Sequence, residues 1–184
     1  ANTTGDVSGI YTGLIAGTYR VRVTDVNSCT TVSSNVVVVE PVTVSASSTQ
    51  STYNGFNISC NGGSDGYIEV TAAGGVGNYT FTLGGTASAV QTQPGSVYRF
   101  SSLSAGAYTI DVEDANGCAI ATTLNVPLTE PVLLSVSGSV TNLKNGSHVS
   151  CFGSTDGEIT AVGANGSGGY SYVLNELPGN VTGA

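Results

Sequence analysis

The residues able to do chemistry are few, and their spacing argues against most of the chemistry they could do. The chain has one histidine, His148, and a Ser-His-Asp triad would have to be built on it. It lies in the turn-like stretch Lys144-Asn145-Gly146-Ser147-His148. Zinc requires clustered Cys and His ligands, but Cys29, Cys60, Cys118 and Cys151 lie 31, 58 and 33 residues apart. Glu113 and Asp114 are adjacent in a stretch of strand character, so they face opposite sides and cannot cooperate as acid and base. Lys144 is the only lysine, which leaves Lys–Asn isopeptide cross-linking a single donor in a loop. Asn57, Asn78, Asn145 and Asn165 each begin an Asn-x-Ser/Thr triplet, a coincidence expected where Asn, Ser and Thr are abundant. The expectation is a chain that is not an enzyme and holds no cofactor.

Twelve acidic residues against four basic ones give a formal net charge of −8. Nucleic acid and anionic membranes both demand clustered Lys and Arg, so neither is expected as a partner. Charged residues make up 9% of the chain, well below the usual quarter or so, while 40% of residues are apolar. Ser, Thr, Asn and Gly supply the remaining polarity. The longest aliphatic run, Val36–Val39, is far too short for a membrane span, so no membrane insertion is expected. No signal peptide opens the sequence, and its Ala-Asn-Thr-Thr start reads as the interior of a longer polypeptide.

What positions these residues is an internal repeat. LIAGTYRVRVTDVNSC (14–29) matches LSAGAYTIDVEDANGC (103–118) at eight of sixteen positions, offset by 89. ISCNGGSDGYIEV (58–70) matches VSCFGSTDGEITA (149–161) at six of thirteen, offset by 91. Glu40-Pro41 recurs as Glu130-Pro131, and GNYTFTL (77–83) answers GGYSYVL (168–174). Residues 1–40 then hold the C-terminal part of a repeat, 41–130 a complete repeat, and 131–184 the N-terminal part of a third. The order of the blocks implies a parent that extends in both directions. The Glu-Pro steps fall at the joints, where Pro fixes φ and keeps the preceding residue extended. His148 has no evident counterpart in the 41–130 copy.

Period-two alternation predicts strands. Ile68, Val70 and Ala72 alternate with Tyr67, Glu69 and Thr71; Tyr79, Phe81 and Leu83 with Thr80 and Thr82; Tyr108, Ile110 and Val112 with Thr109, Asp111 and Glu113. Asp114–Gly117 reads as a turn into a strand over 119–126. With Val42–Ser47 and a short Val97–Phe100, about seven strands result, and no stretch carries a helical period. The fold class is therefore all-β, tandem immunoglobulin-like sandwiches of roughly ninety residues with essentially no helix. Leu103 precedes Tyr108 by five residues across a Ser-Ala-Gly turn, as Leu14 precedes Tyr19. That spacing resembles the tyrosine corner of such sandwiches, whose hydroxyl bonds back to the corner backbone; an ordinary core Tyr is the alternative.

Calcium is the one metal whose ligands the loops could offer. In a sandwich the last hairpin turn lies near the preceding joint, so Glu40, Asp114 and Asn116 are the candidate ligands. The simpler and preferred role of such residues, including Asp65 and Asp156, is to make turns by bonding their own backbone.

The string C-x-G-x-[ST]-D-G-x-I, a Gly-rich step to an aromatic pair, then L-x-A-G-x-Y, D-x-N-[GS]-C and Glu-Pro, resembles the SprB repeat of giant cell-surface adhesins of gliding Bacteroidota. Cys60, Asp65, Gly66, Ile68, Tyr79, Leu103, Gly106, Tyr108, Asp114, Asn116 and Cys118 fall on the pattern. Two stretches depart from it: STQSTYNGF (48–56), which looks inserted, and residues 84–97, which look like a long polar link. The resemblance implies an extracellular, cell-surface location, secretion by the type IX system, and roles in adhesion and gliding motility.

A secreted repeat with two cysteines per unit should be oxidised. The repeat register favours a disulfide between Cys60 and Cys118. Against it, a plain sandwich puts the first and last hairpin turns at opposite ends, and a bridge between neighbouring repeats is the alternative. The leading functional reading is a structural stalk segment of a surface adhesin, whose partners are neighbouring repeats. A second is a repeat that binds surface polysaccharide, with Tyr53 and Phe56 as the aromatic platform. A third is a subunit of a self-assembling extracellular fibre or filament.

Overall fold

The alternating stretches at 66–73, 79–85 and 106–113 become strands. The computed structural model describes residues 8–175 and contains no helix among them. Residues 8–40 make two small antiparallel ladders, β1 (Gly17–Tyr19) with β4 (Val36–Val38) and β2 (Arg22–Thr24) with β3 (Thr30–Val32). Residues 41–130 hold seven strands: β5 (Ser45–Gln50), β6 (Gly66–Ala73), β7 (Tyr79–Gly85), β8 (Ala89–Gln93), β9 (Val97–Leu103), β10 (Gly106–Glu113) and β11 (Leu124–Leu128). A last antiparallel pair joins β12 (Ser135–Val140) to β13 (Ile159–Ala164).

The seven central strands form two antiparallel sheets, ordered β5-β6-β9 and β11-β10-β7-β8. First, second and fifth strands lie in one sheet, and the last, penultimate, third and fourth in the other. This is an immunoglobulin-like partition with the fourth strand on the larger sheet. The inward residues are those of the alternation: Ile68, Val70 and Ala72 on β6, Tyr79, Phe81 and Leu83 on β7, and Tyr108, Ile110 and Val112 on β10. Phe100, Leu103, Val126, Leu128, Val44 and Ile58 complete the cluster. Every member lies between Val44 and Leu128, so this copy encloses its own core. Each large apolar side chain so buried contributes about 1.5–3 kcal/mol relative to exposure.

The flanking copies repeat the same ladders. Gly17 opposes Val38 and Tyr19 opposes Val36, as Gly106 opposes Leu128 and Tyr108 opposes Val126. Val23 is 60% exposed where its counterpart Val112 is fully buried, and Ile159 is 60% exposed where Ile68 is fully buried. Pairing is thus local to each hairpin, whereas burial needs both sheets.

Five expectations are corrected. The first strand runs Ser45–Gln50 rather than 42–47; its sequence SASSTQ has no apolar alternation, and its partner β6 alone sets its register. Residues 84–97 contain β8, an edge strand on β7 with an exposed Val90. The expected strand over 119–126 is interrupted. Ala119 bridges Glu113, the chain bends at 121–122, and pairing resumes at Leu124 opposite Ile110, so four residues face two in a bulge. The stretch 48–56 is not an insertion, because Tyr53 and Phe56 close a two-residue hairpin over Asn54-Gly55 that Lys144 and Ser147 reproduce over Asn145-Gly146. The paired φ values, 48° and 89° against 47° and 90°, mark the same type I′ turn. His148 therefore does have a counterpart, Asn57, three residues past the turn Asn.

Candidate functional site: the joint between copies

The densest polar network holds the loop between β5 and β6 to the end of β11. Asn57 Oδ1 accepts hydrogen bonds from the Thr129 amide (2.9 Å) and hydroxyl (3.0 Å), while the Asn57 and Ile58 amides donate to Thr129 O. Ser51, 1% exposed, is fully engaged: its hydroxyl donates to Asn57 O and accepts the Tyr67 amide, and Asn57 Nδ2 donates to Ser51 O. Burying a hydroxyl is tolerable here because nothing polar is left unpaired.

The Glu-Pro step is fastened to the same loop. Glu130 Oε2 accepts the Gly62 amide at 2.7 Å, and Oε1 accepts Asn61 Nδ2 at 3.0 Å. Asn61 Nδ2 also donates to Pro131 O at 3.1 Å, and Pro131 is buried. Beyond the joint, Ser167 Oγ donates to Ser59 O at 3.0 Å and Asn54 Nδ2 to Ser167 O at 3.4 Å. The loop around Cys60 thus touches both the linker and the β13 turn of the next copy.

The opposite end of the sandwich is organised by Asp114. Its Oδ1 accepts the amides of Asn116 and Cys118, each at 2.9 Å, and its Oδ2 the amide of Val76 at 2.9 Å. These backbone donors, Cys118 foremost and then Val76, hold the Asp114 carboxyl below its ordinary value. Asp25 repeats the turn, accepting the amides of Asn27 and Cys29. Asp65 and Asp156 each accept an amide, from Ser59 and Ser150; the Ser59 side chain and then its amide hold the Asp65 carboxyl below its ordinary value, and the Ser150 amide and then its side chain do so for Asp156. Of the calcium candidates, Asp114 has both oxygens occupied by backbone amides, Asn116 offers its own amide to that turn, and Glu40 is exposed. Among the described residues no three His, Cys, Asp or Glu side chains gather as a metal site would require.

Tyr108 donates to Ser104 O at 3.0 Å and Tyr19 to Ile15 O at 2.7 Å, each four residues back. A second tyrosine device was not legible beforehand: Tyr79 donates to Gly74 O and Tyr170 to Asn165 O, both at 2.6 Å and five residues back. A Tyr five residues after the start of a Gly-rich turn is the signal that could have found it. Tyr53, by contrast, sits in the tight hairpin with Phe56, and its hydroxyl donates to Asp65 O.

All four cysteines are exposed and unbonded. The expected Cys60–Cys118 pairing is not made. Cys60 precedes β6, whereas the Cys118 turn meets Val76, just beyond the far end of that strand. Eight extended residues separate those ends by about 25 Å, against the ~7 Å a disulfide tolerates between Cα atoms.

The SprB repeat model matches twice, over residues 52–87 and 145–179. Each match starts at the Asn-Gly hairpin region and runs through the cysteine loop and the second strand of its copy, β6 or β13; the first continues through β7. No curated protein and no solved structure matches the chain. The Asn-Gly hairpin, the Asp-Gly turn and the tyrosine that follows the Gly-rich turn all recur inside these two stretches, which are the stretches that match the SprB repeat.

Proposed function

We propose that this chain is a stalk segment of a large secreted cell-surface adhesin, in which copies follow one another through stiff joints. Residues 1–40, 41–130 and 131–184 are then the later part of one repeat, a complete repeat and the earlier part of a third. On this reading the chain performs no catalysis. It acts by extension, holding a binding tip or a distributed surface away from the cell for attachment or gliding, and its partners are neighbouring repeats.

The single observation that carries the reading is the grip of Glu130 on the Asn61-Gly62 loop beside a buried Pro131. Beads on a loose string have no use for a carboxylate clamped at the linker, as Glu130 is. A stalk under lateral load does, because bending there must break charge-assisted hydrogen bonds. The SprB resemblance supports the surface setting.

Small-angle X-ray scattering on the 184-residue chain tests it. The expected particle is elongated, with one narrow distribution of lengths that broadens and shortens in Glu130→Ala, Asn61→Ala. A parent chain as flexible as the double variant would overturn the stiff-joint reading. A glycan array carrying the same chain is expected to stay blank, and saturable binding to a polysaccharide would replace the stalk with a recognition module.

A further inference from the structure

Each end of the complete copy carries one thiol, and the contacts at the two ends are related by the repeat. At the end where the copy begins, Gly75 donates its amide to Val42 O at 2.7 Å. Val76 next to it is bound to the Cys118 turn twice: its amide donates to Asp114 Oδ2 at 2.9 Å, and its carbonyl accepts the Ala115 amide at 3.2 Å. Cys118 in turn donates its amide to Asp114 Oδ1 at 2.9 Å. At the end where the copy finishes, Cys60 stands exposed in the loop that Glu130 holds.

The following copy repeats the first of these arrangements against the second. Gly166 donates to Val132 O at 2.9 Å, so Gly166 and Ser167 are the counterparts of Gly75 and Val76. Ser167 Oγ reaches back across the joint to Ser59 O at 3.0 Å, the residue before Cys60. The position that touches the Cys118 turn within a copy therefore touches the Cys60 loop of the copy before it. A Cys118-type turn seated on Ser167 would stand beside Cys60.

From this the geometry points to a disulfide between copies, joining the Cys60-type cysteine of one repeat to the Cys118-type cysteine of the repeat that follows. The inference rests on the tandem arrangement of the proposed function and adds a covalent staple at each joint. It accounts for two facts at once: Cys60 and Cys118 lie too far apart to pair within a copy, and all four thiols face solvent. Cys29 and Cys118 are of one type and Cys60 and Cys151 of the other. Neither the joint at Glu40-Pro41 nor that at Glu130-Pro131 has both of its members within residues 1–184. Formation is a thiol–disulfide exchange. The two cysteines lose two protons and two electrons as their S–S bond forms, and the disulfide of a thiol oxidant such as oxidised glutathione is reduced to two thiols.

Two copies of 41–130 joined in tandem, each enclosing its own core and the second carrying Val76→Ser to supply the contact that Ser167 makes, provide the test. After refolding in a glutathione redox buffer, thiol titration is expected to find two of the four thiols lost. Non-reducing peptide mapping should link Cys60 of the first copy to Cys118 of the second, and Cys60→Ser in the first copy should return Cys118 of the second to titration, so that every remaining thiol is free. A Cys60–Cys118 link within one copy, or four free thiols in the folded, oxidised tandem, would overturn the proposal. Scattering from the reduced tandem separates this failure from that of the stalk reading: an elongated, narrow particle without the link sinks only the staple, whereas two loosely tethered sandwiches sink the stalk, and the staple with it.

Discussion

Tyr108 donates its hydroxyl hydrogen to the carbonyl of Ser104, 3.0 Å away, across the turn that joins β9 to β10. Tyr19 and Ile15 make the same bond at 2.7 Å in the preceding copy. Tyr108 is 2% exposed, so its ring fills core while the hydroxyl satisfies a carbonyl that the turn would otherwise leave unpaired. Tyr108→Phe keeps the ring and orphans the carbonyl, and it should cost about 1 kcal/mol. Urea denaturation of the 41–130 copy measures it; an unchanged midpoint would reduce Tyr108 to a packing residue. Tyr79→Phe should cost a similar ~1 kcal/mol through the loss of the Gly74 bond.

Acid should loosen the copy at Asp114. Its folded carboxyl lies below the ordinary 3.8 because backbone amides stabilise the ionised form. A depressed folded value means that the unfolded chain takes up the proton first. The stabilisation is therefore complete above the ordinary value and is lost as pH falls through the folded one. Asp65 shares the direction, through Ser59. Melting temperature followed downward from pH 5 should fall more steeply in the parent than in Asp114→Asn, and parallel acid limbs would show that the turn contributes nothing to the pH dependence.

Metal removal should leave stability unchanged, since the turn oxygens of Asp114 are already occupied by amides of its own loop and of Val76. Calorimetric scans of the full chain with excess EDTA, then with excess calcium, should superimpose. A drop with chelator that calcium restores would identify a site that Glu40 or another carboxylate completes.

How much of this was legible beforehand depended on whether a signal was local. The inward faces of β6, β7 and β10 follow from alternation because each strand carries its own apolar residues. β5 and β8 were misplaced because SASSTQ and AVQTQ carry none of that contrast, and their neighbours decide their positions. The Asn-Gly hairpin was mistaken for an insertion because Tyr53-Asn54-Gly55-Phe56 and Lys144-Asn145-Gly146-Ser147 share only the two turn residues. In a type I′ turn those two alone set the geometry. The cysteine pairing could not be read from register, which assigns residues to copies but does not say at which end of a sandwich they sit. The Glu130 clamp was invisible for the same reason: Asn61 and Gly62 are 69 and 68 residues away in the chain.

Two glycines separate backbone strain from steric collision, and they make the last prediction. Gly55 has φ +89° and a Cβ placed there would meet nothing within 4 Å. Gly74 has φ +78°, and its Cβ would lie 2.1 Å from the carbonyl oxygen of Thr43. Gly55→Ala should therefore cost only the conformational penalty of a left-handed residue, about 1–2 kcal/mol. Gly74→Ala must pay that and also push the 42–44 segment off the sandwich, where Val44 is buried and Val42 O accepts the Gly75 amide. Its loss should exceed that of Gly55→Ala by at least ~1 kcal/mol, the usual floor for forcing atoms into packed structure. Denaturation midpoints of both variants in the 41–130 copy decide the matter. Equal losses would mean that the 42–44 segment yields freely, and with it would go the idea that the start of each copy is rigidly seated on its own β6–β7 turn.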